Sequence, residues 1–203
     1  MDIIIVILFS YLSGSIPFGL ILTRFFGGQD VRKIGSGNIG ATNVLRTGNK
    51  YLAATTLILD ILKGYAPVVV TQNYFPEYIQ LSALLAFLGH IFPFWLKFKG
   101  GKGVATYLGI LFALSLGLGL LFIFTWIVVS LIFRYSSLSS MFSSLTVLVV
   151  TFFRENAVKA INSDFIFATD LKLILFIFLI IIVFTHRKNI SNLKNRTEEK
   201  IKL

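Results

Sequence analysis

The chain has 203 residues, 56% of them hydrophobic and only 14% charged, and its 19 Lys and Arg against 9 Asp and Glu leave a formal net charge of +10. A charged share near ~25% is usual for a soluble domain, so at a mean hydropathy of +0.83 this composition excludes one and requires an integral membrane protein. With no cysteine and two histidines, disulfides, thiolate ligands and a cysteine nucleophile are excluded and a zinc site is disfavoured. The basic residues fall between apolar runs, which points to anionic lipids and anionic metabolites as partners rather than nucleic acid.

The first apolar run, Ile3 to Thr23, is broken by Ser13-Gly14-Ser15 and Pro17 and closed by Arg24. Asp2 precedes it and the positive charge follows it, the reverse of a signal peptide, so an uncleaved helix with its N-terminus outside is expected. A polar stretch comes next, Gly35-Ser36-Gly37-Asn38-Ile39-Gly40-Ala41-Thr42-Asn43, with Arg46 behind it. Its glycines match G-x-G-x-x-G, and Asp60 falls 20 residues after the last of them. A dinucleotide fingerprint needs a preceding strand and a strand-helix-strand unit, whereas this loop leads into a membrane span. What remains is the physics of the pattern. Gly35, Gly37 and Gly40 free the backbone to turn N–H groups toward an anion, and Ser36, Asn38, Thr42 and Asn43 add neutral donors.

Leu52 to Thr71 forms the next span, of the length a bilayer crossing needs. Asp60 and Lys63 lie near its middle on one face, close enough to pair. Charge at that depth costs several kcal/mol unless paired or hydrated, so this face is expected to look into the bundle as a structural pair. Tyr78 to Leu96 follows, with His90 inside it just before Pro93 and read as hydrogen-bonded packing. Phe98-Lys99-Gly100-Gly101-Lys102-Gly103 is no Walker A loop, because Lys102 precedes a glycine and Leu96 stands where the first glycine belongs. A positive-inside anchor needs charge but has no use for three glycines. With a helix starting at Val104, an anion at Lys99 to Gly103 would face a helix N-terminus.

Val104 to Phe133 is 30 residues, about 45 Å of helix against a hydrocarbon core of about 30 Å. Gly117 and Gly119 mark its middle and predict a turn there, giving two short helices. Ser136 to Phe153 and Thr169 to Thr185 complete the spans. The hairpin is also what charge asks for. It gathers Arg24, Arg32, Lys33, Arg46, Lys50, Lys97, Lys99, Lys102, Arg134 and the basic tail after His186 on the inside. Arg154 and Lys159 stay outside, with Lys172 at an edge, while one long helix would send the tail out. The expectation is one all-α domain over residues 1–203, a bundle of seven transmembrane helices, some short, with the N-terminus outside and the C-terminus cytosolic. The three polar segments, the third being His186-Arg187-Lys188-Asn189, then share the cytosolic face as one composite site for an anionic substrate beside lipid.

In this order and between these spans, GSGNIGATN-x-x-R, D-x-x-K-G, GH-x-FP-x-x-x-x-FKGGKGVAT and HR-x-N-I resemble the acyl-phosphate-dependent glycerol-3-phosphate acyltransferases of bacterial membranes, from about Ser13 to Lys200. Many members carry glycine before the Thr-Glu pair where this chain has Arg196, which weakens any role for Glu198. The resemblance implies transfer of a fatty acyl group from acyl phosphate to the sn-1 hydroxyl of glycerol 3-phosphate, giving lysophosphatidate and phosphate, without metal or organic cofactor. It implies a multi-pass protein of the bacterial cytoplasmic membrane that meets membrane lipids and draws on a soluble enzyme making acyl phosphate. Arg46 and Lys102 would neutralise the phosphates, and the glycine loops, including Gly100, Gly101 and Gly103 beside Lys99, would supply backbone donors. Ser36, Asn38, Thr42 and Asn43 would orient glycerol phosphate, and His186 and Asn189 would complete the pocket. A covalent acyl group on Ser36 lacks an evident base, so direct attack by the glycerol hydroxyl is preferred. The base is either His186 or a substrate phosphate oxygen. The rival class, a transporter for a phosphorylated metabolite, would place polar groups at matching depths in two repeated halves, whereas here they gather at one face.

Overall fold

The structure, a computed structural model, describes residues 1–161 and 170–201. Thr169 and the Lys159 side chain, which figured in the sequence expectation, lie outside the described residues. Among the described residues the secondary structure is helical throughout, without strands. The chain divides into two compact units, Met1–Leu116 and Gly117–Leu203.

In the first unit, α1 (Asp2–Ser15) and α2 (Phe18–Phe26) form a broken span bent by 42°. Pro17 has no N–H and disfavours helical geometry in the residue before it, and Ile16 is accordingly extended (φ −63°, ψ 118°). The short α3 (Ala41–Leu45) leads to α4 (Lys50–Tyr74), capped by Asn49, whose Oδ1 accepts from the Leu52 N–H at 3.0 Å. Then come α5 (Ile79–Ile91) and α6 (Val104–Leu114).

Glycines set the close helix crossings. A Cβ at Gly14 of α1 would be driven into the Ala86 backbone of α5, and one at Gly64 or Gly109 into the facing backbone of the α4–α6 pair. Small residues allow backbones to approach in a membrane, where no hydrophobic drive separates helix contact from lipid contact. Between these helices Asp60 and Lys63 are each 2% exposed and paired, Nζ to Oδ1 at 2.8 Å. Lys63 Nζ also donates to the Ile16 carbonyl at 2.6 Å, at the break between α1 and α2. Leu20, Val31, Ile39, Val44 and Ala53 form a buried apolar cluster beneath the polar loop that follows α2.

The second unit comprises most of α7 (Leu116–Phe133), with α8 (Ser136–Ile161), α9 (Lys172–Thr185) and α10 (Arg187–Lys194). The expected turn at Gly117 and Gly119 is not there. Both glycines are helical within α7, and the break falls at Ser115, which is extended (φ −166°, ψ 125°). The break precedes the glycines by two residues, and glycine inside the helix that follows costs only about 1 kcal/mol relative to alanine. At the start of α8, Ser139, Ser140, Ser143 and Ser144 bond the carbonyls one turn back, and Ser140 Oγ accepts from Trp126 Nε1 at 3.2 Å.

By length and composition, four helices can cross a membrane alone, and up to six segments if each bent pair, α1 with α2 and α9 with α10, counts as one span. The apolar α6, at 11 residues, is shorter. The protein is thus an all-helical, multi-pass integral membrane protein.

Gly14→Val should therefore cost about 3 kcal/mol or more through overpacking against rigid backbone. Gly28→Ala, where a Cβ meets nothing within 4 Å but φ is +62°, should cost only the roughly 1–2 kcal/mol of a left-handed alanine. Folded yield and thermal unfolding in one detergent will rank the two.

Candidate active site

The loop after α2 begins with a carboxylate clamp. Asp30 Oδ1 accepts from the Arg32 backbone N–H and Nε, both at 3.0 Å, and Oδ2 from Arg32 Nη2 at 2.7 Å and Arg24 Nη2 at 3.1 Å. The Arg32 hydrogen bonds, aided by Arg24, hold the Asp30 carboxyl well below the usual carboxylate range against a desolvation that raises it. Asp30 therefore stays ionised, and the Arg32 fork is fixed in place.

The chain then turns through left-handed Gly35 (φ 51°) and Gly37 (φ 70°) around Asn43, which is 2% exposed. Asn43 Oδ1 accepts from the Ser36 N–H at 3.1 Å, while Nδ2 donates toward the carbonyls of Val31, Ile34 and Asn38 at 2.9, 3.0 and 2.7 Å. The Asn43 amide, expected to orient substrate, is bonded to its own loop. A buried amide must be satisfied internally, and this one is the staple of its own loop. Asn38 Oδ1 likewise accepts from Gly40 N–H at 3.0 Å. Arg46 runs across Gly35, where an added Cβ would lie 2.7 Å from Arg46 Cδ and 2.6 Å from Asn43 Oδ1. Arg46 is thereby brought beside exposed Ser36, and Thr42 is exposed on the same short segment.

The second loop folds back onto the end of α5. Lys97 (φ 51°) and Phe98 (φ 60°) are consecutive left-handed residues, and they reverse the chain. Gly100 N–H then donates to the Ile91 carbonyl at 3.0 Å and Gly101 N–H to the His90 carbonyl at 3.1 Å. A Cβ at Gly100 would strike the His90 carbonyl, one at Gly101 the His90 ring, and Gly103 has φ 85° against Phe87. These glycines permit close approach, and the N–H groups of Gly100 and Gly101 are committed within the protein. The first turn of α6, whose N–H groups have no intrahelical acceptor, follows directly, with half-buried Lys102 just ahead of it.

Both loops wall one groove of about 500 Å³, lined by Arg32, Gly37, Ile39, Trp95, Leu96, Lys97, Lys99 and Gly100. Three cations and three apolar side chains line it together, a combination that suits an anionic head joined to a greasy tail. Of the expected residues, Gly37, Lys99 and Gly100 line the groove, while Ser36, Arg46 and Lys102 belong to the loops that form it. Sequence reading passed over Trp95 and counted Arg32 and Lys97 only as positive-inside charge. Trp95 is held by Nε1–H bonds to the Ser15 carbonyl at 3.0 Å and Ser15 Oγ at 2.9 Å. The one local signal for Arg32 was Asp30 two residues before it.

In the second unit, His186 sits at the 57° bend between α9 and α10, 2% exposed. Its Nδ1 lies 2.8 Å from the Ile182 carbonyl. A carbonyl oxygen can only accept, so Nδ1 is the donor in this contact. Asn189 Nδ2 donates to Glu198 Oε1 at 2.7 Å, Ser137 Oγ donates to the same oxygen at 2.7 Å, and Asn192 Nδ2 reaches Oε2 at 3.3 Å. Glu198, left without a role by the sequence, orients Asn189. Arg196 has φ 59°, the left-handed conformation that glycine adopts freely, so the turn persists without the glycine. Among the described residues there is no cluster of three or more His, Asp or Glu able to hold a metal ion.

A family model described as glycerol-3-phosphate acyltransferase matches residues 4–196. The glycerol-3-phosphate acyltransferase of Pelagibacter ubique is 53% identical over 203 residues, covering 100% of both chains. That of Mesorhizobium japonicum is 51% identical over 200 residues, 98% of this chain and 96% of the relative. The crystal structure of PlsY (YgiH), an integral membrane glycerol 3-phosphate acyltransferase, in its glycerol 3-phosphate form superposes with a TM-score of 0.88 at 31% identity, covering 100% of this chain and 96% of that one. The lysophosphatidic acid form of PlsY gives 0.84 at 30% identity, covering 98% and 95%.

Arg196→Gly should stabilise the protein by roughly 0.5–1 kcal/mol, the relief of a left-handed non-glycine residue less the extra freedom of the unfolded chain. A raised unfolding temperature with unchanged activity is the expected result. A lowered one would mean that the Arg196 side chain contributes more than its backbone strain costs.

Proposed function

This chain belongs to the glycerol-3-phosphate acyltransferase family, and we propose that it transfers a fatty acyl group from acyl phosphate to the sn-1 hydroxyl of glycerol 3-phosphate. The observation that carries this reading is the groove lined by Arg32, Lys97 and Lys99 together with Ile39, Trp95 and Leu96, because both substrates are phosphates and one is also a lipid. The glycerol 3-phosphate and lysophosphatidic acid forms of PlsY support the acceptor and the product.

The hydroxyl oxygen attacks the carbonyl carbon of the mixed anhydride, an ester C–O bond forms, and the acyl–phosphate C–O bond breaks with its electron pair leaving on phosphate. The hydroxyl proton passes to a base and ends on the released phosphate. The donor is already activated, so orientation and charge stabilisation suffice and the chemistry asks for no metal or organic cofactor. Arg46 and Lys102 neutralise phosphate charge, with the first turn of α6 adding N–H donors. Exposed Ser36 and Thr42 orient the glycerol phosphate, and Lys99 and Arg32 draw anions into the groove. In the second unit, Asn189, held by Glu198, and His186 are the candidate residues. His186 Nε2 and a substrate phosphate oxygen are the two candidate bases.

The site faces the cytosol of a bacterial cell, in a bundle of seven spans with the N-terminus outside. Six segments meet the length criterion once the bent pairs are joined, and α6 supplies a short seventh. A soluble enzyme that makes acyl phosphate is the matching donor source, and lysophosphatidate enters phospholipid synthesis.

Purified protein given radiolabelled glycerol 3-phosphate should form lysophosphatidate with acyl phosphate. Equal or faster turnover with acyl-CoA would reject the donor assignment and leave the acceptor standing.

Lys102→Ala and Arg46→Ala each remove a charge-assisted contact of about 1.5–3 kcal/mol, roughly a ten-fold to hundred-fold loss of kcat/KM. Lys194 is exposed, and Lys194→Ala should be nearly silent. Similar activity in all three variants at matched folded yield would make the basic loops membrane anchors.

A further inference from the structure

The buried charges within the first unit take no part in the chemistry above, yet they lie directly behind the loop that presents Lys102. His90 is 3% exposed, and its Nδ1 faces Asp60 Oδ1 at 3.9 Å, with Asp60 paired to Lys63. On its other side the ring meets Gly101. A Cβ built there would run into His90 Nε2 and lie 2.9 and 3.0 Å from Cε1 and Cδ2, with all three nearest atoms in that one ring.

Apolar side chains would fill this space without the desolvation cost of an intramembrane ion pair, and such replacements are often neutral or stabilising elsewhere. What an apolar core would not supply is a set of fixed distances. Lys63 Nζ captures the Ile16 carbonyl at the end of α1, one residue from the Ser15 carbonyl that anchors groove-lining Trp95. The loop is tied from below by Gly100 and Gly101 to the Ile91 and His90 carbonyls. Those backbone bonds draw the loop onto the end of α5, and the imidazole against Gly101 limits how closely it can approach.

We propose that His90 is a positioning residue, its ring backed by the Asp60–Lys63 pair and serving as the floor under Gly101, so that it sets the height at which Lys102 and the N-terminus of α6 meet substrate phosphate. This rests on the acyltransferase reading of the groove. His90 touches no reacting atom. Its effect passes through Gly101 to Lys102, and displacements of about 1 Å in such a site cost up to about a hundred-fold in rate.

The test is a size exchange across the contact, with Gly101→Ala, His90→Ala and the double variant reconstituted at matched folded yield. Each is assayed for kcat, KM for glycerol 3-phosphate and unfolding temperature. Gly101→Ala should lose about ten-fold to hundred-fold in kcat/KM by lifting the loop, and His90→Ala should raise KM by letting it sink. The double variant, with the methyl group standing where the ring was, should outperform both single variants. Gly103→Ala should gain nothing from His90→Ala, because its added carbon meets Phe87 and its φ is +85°.

A double variant no better than Gly101→Ala would overturn the proposal. So would a His90→Ala protein with a lowered unfolding temperature and an unchanged KM. Were the wild-type protein to make no lysophosphatidate, the acyltransferase reading would fall. The positioning role would then be decided by Trp95 fluorescence in a Trp126→Phe background, where the emission shift caused by Gly101→Ala must revert in the double variant.

Discussion

Hydrocarbon offers no hydrogen bonds, so every break in a helix within the membrane must find partners for the groups it releases. The arrangement of the first unit follows from how it meets that demand. Pro17 ends α1 early, and the carbonyls left at Ser15 and Ile16 are taken by the Trp95 indole and the Lys63 ammonium. Lys63 is tolerable at that depth only because Asp60 stands 2.8 Å away. A single proline thus accounts for a tryptophan in the groove wall and for an ion pair inside the bundle.

The same logic explains why the glycine loops differ from the anion cradles they resemble. Around Asn43 the first loop folds on its own amide, and the second returns the Gly100 and Gly101 N–H groups to the buried carbonyls at the end of α5. The glycines bring backbone into contact with backbone, and the positive charge is left to side chains and to the start of α6. Charge is also rationed at the groove's edge. Asp30 binds both Arg24 and Arg32, which fixes one guanidinium at the wall and limits the repulsion that two free arginines would create there.

How much of this the sequence disclosed depended on the range of the interaction. The spans were legible because length and hydropathy are local properties, and the Asp60–Lys63 pairing was legible because helical spacing fixes which residues share a face. The turn assigned to Gly117 and Gly119 falls at Ser115 instead, because the roughly 1 kcal/mol that glycine costs a helix is too little to force a break at its own position. The inward bonding of Asn43 was not legible, because a polar residue in a polar loop gives no sign of whether its amide faces outward or its own backbone. Arg32, Lys97 and Trp95 went unnoticed as site residues because their neighbours in space are far away in sequence. For Glu198 the missing glycine was misleading, since Arg196 adopts the glycine-like conformation anyway.

The separation of buried and exposed charge has a consequence for how the protein meets its medium. Arg32, Lys97 and Lys99 are exposed, within reach of dissolved ions whose screening length is about 8 Å at physiological ionic strength. The Asp60–Lys63 pair, at 2% exposure, is out of their reach. Dissolved salt therefore acts on the capture of anions and leaves the scaffold behind the loops unaltered, so that a change in the ion content of the medium tunes encounter without loosening the frame.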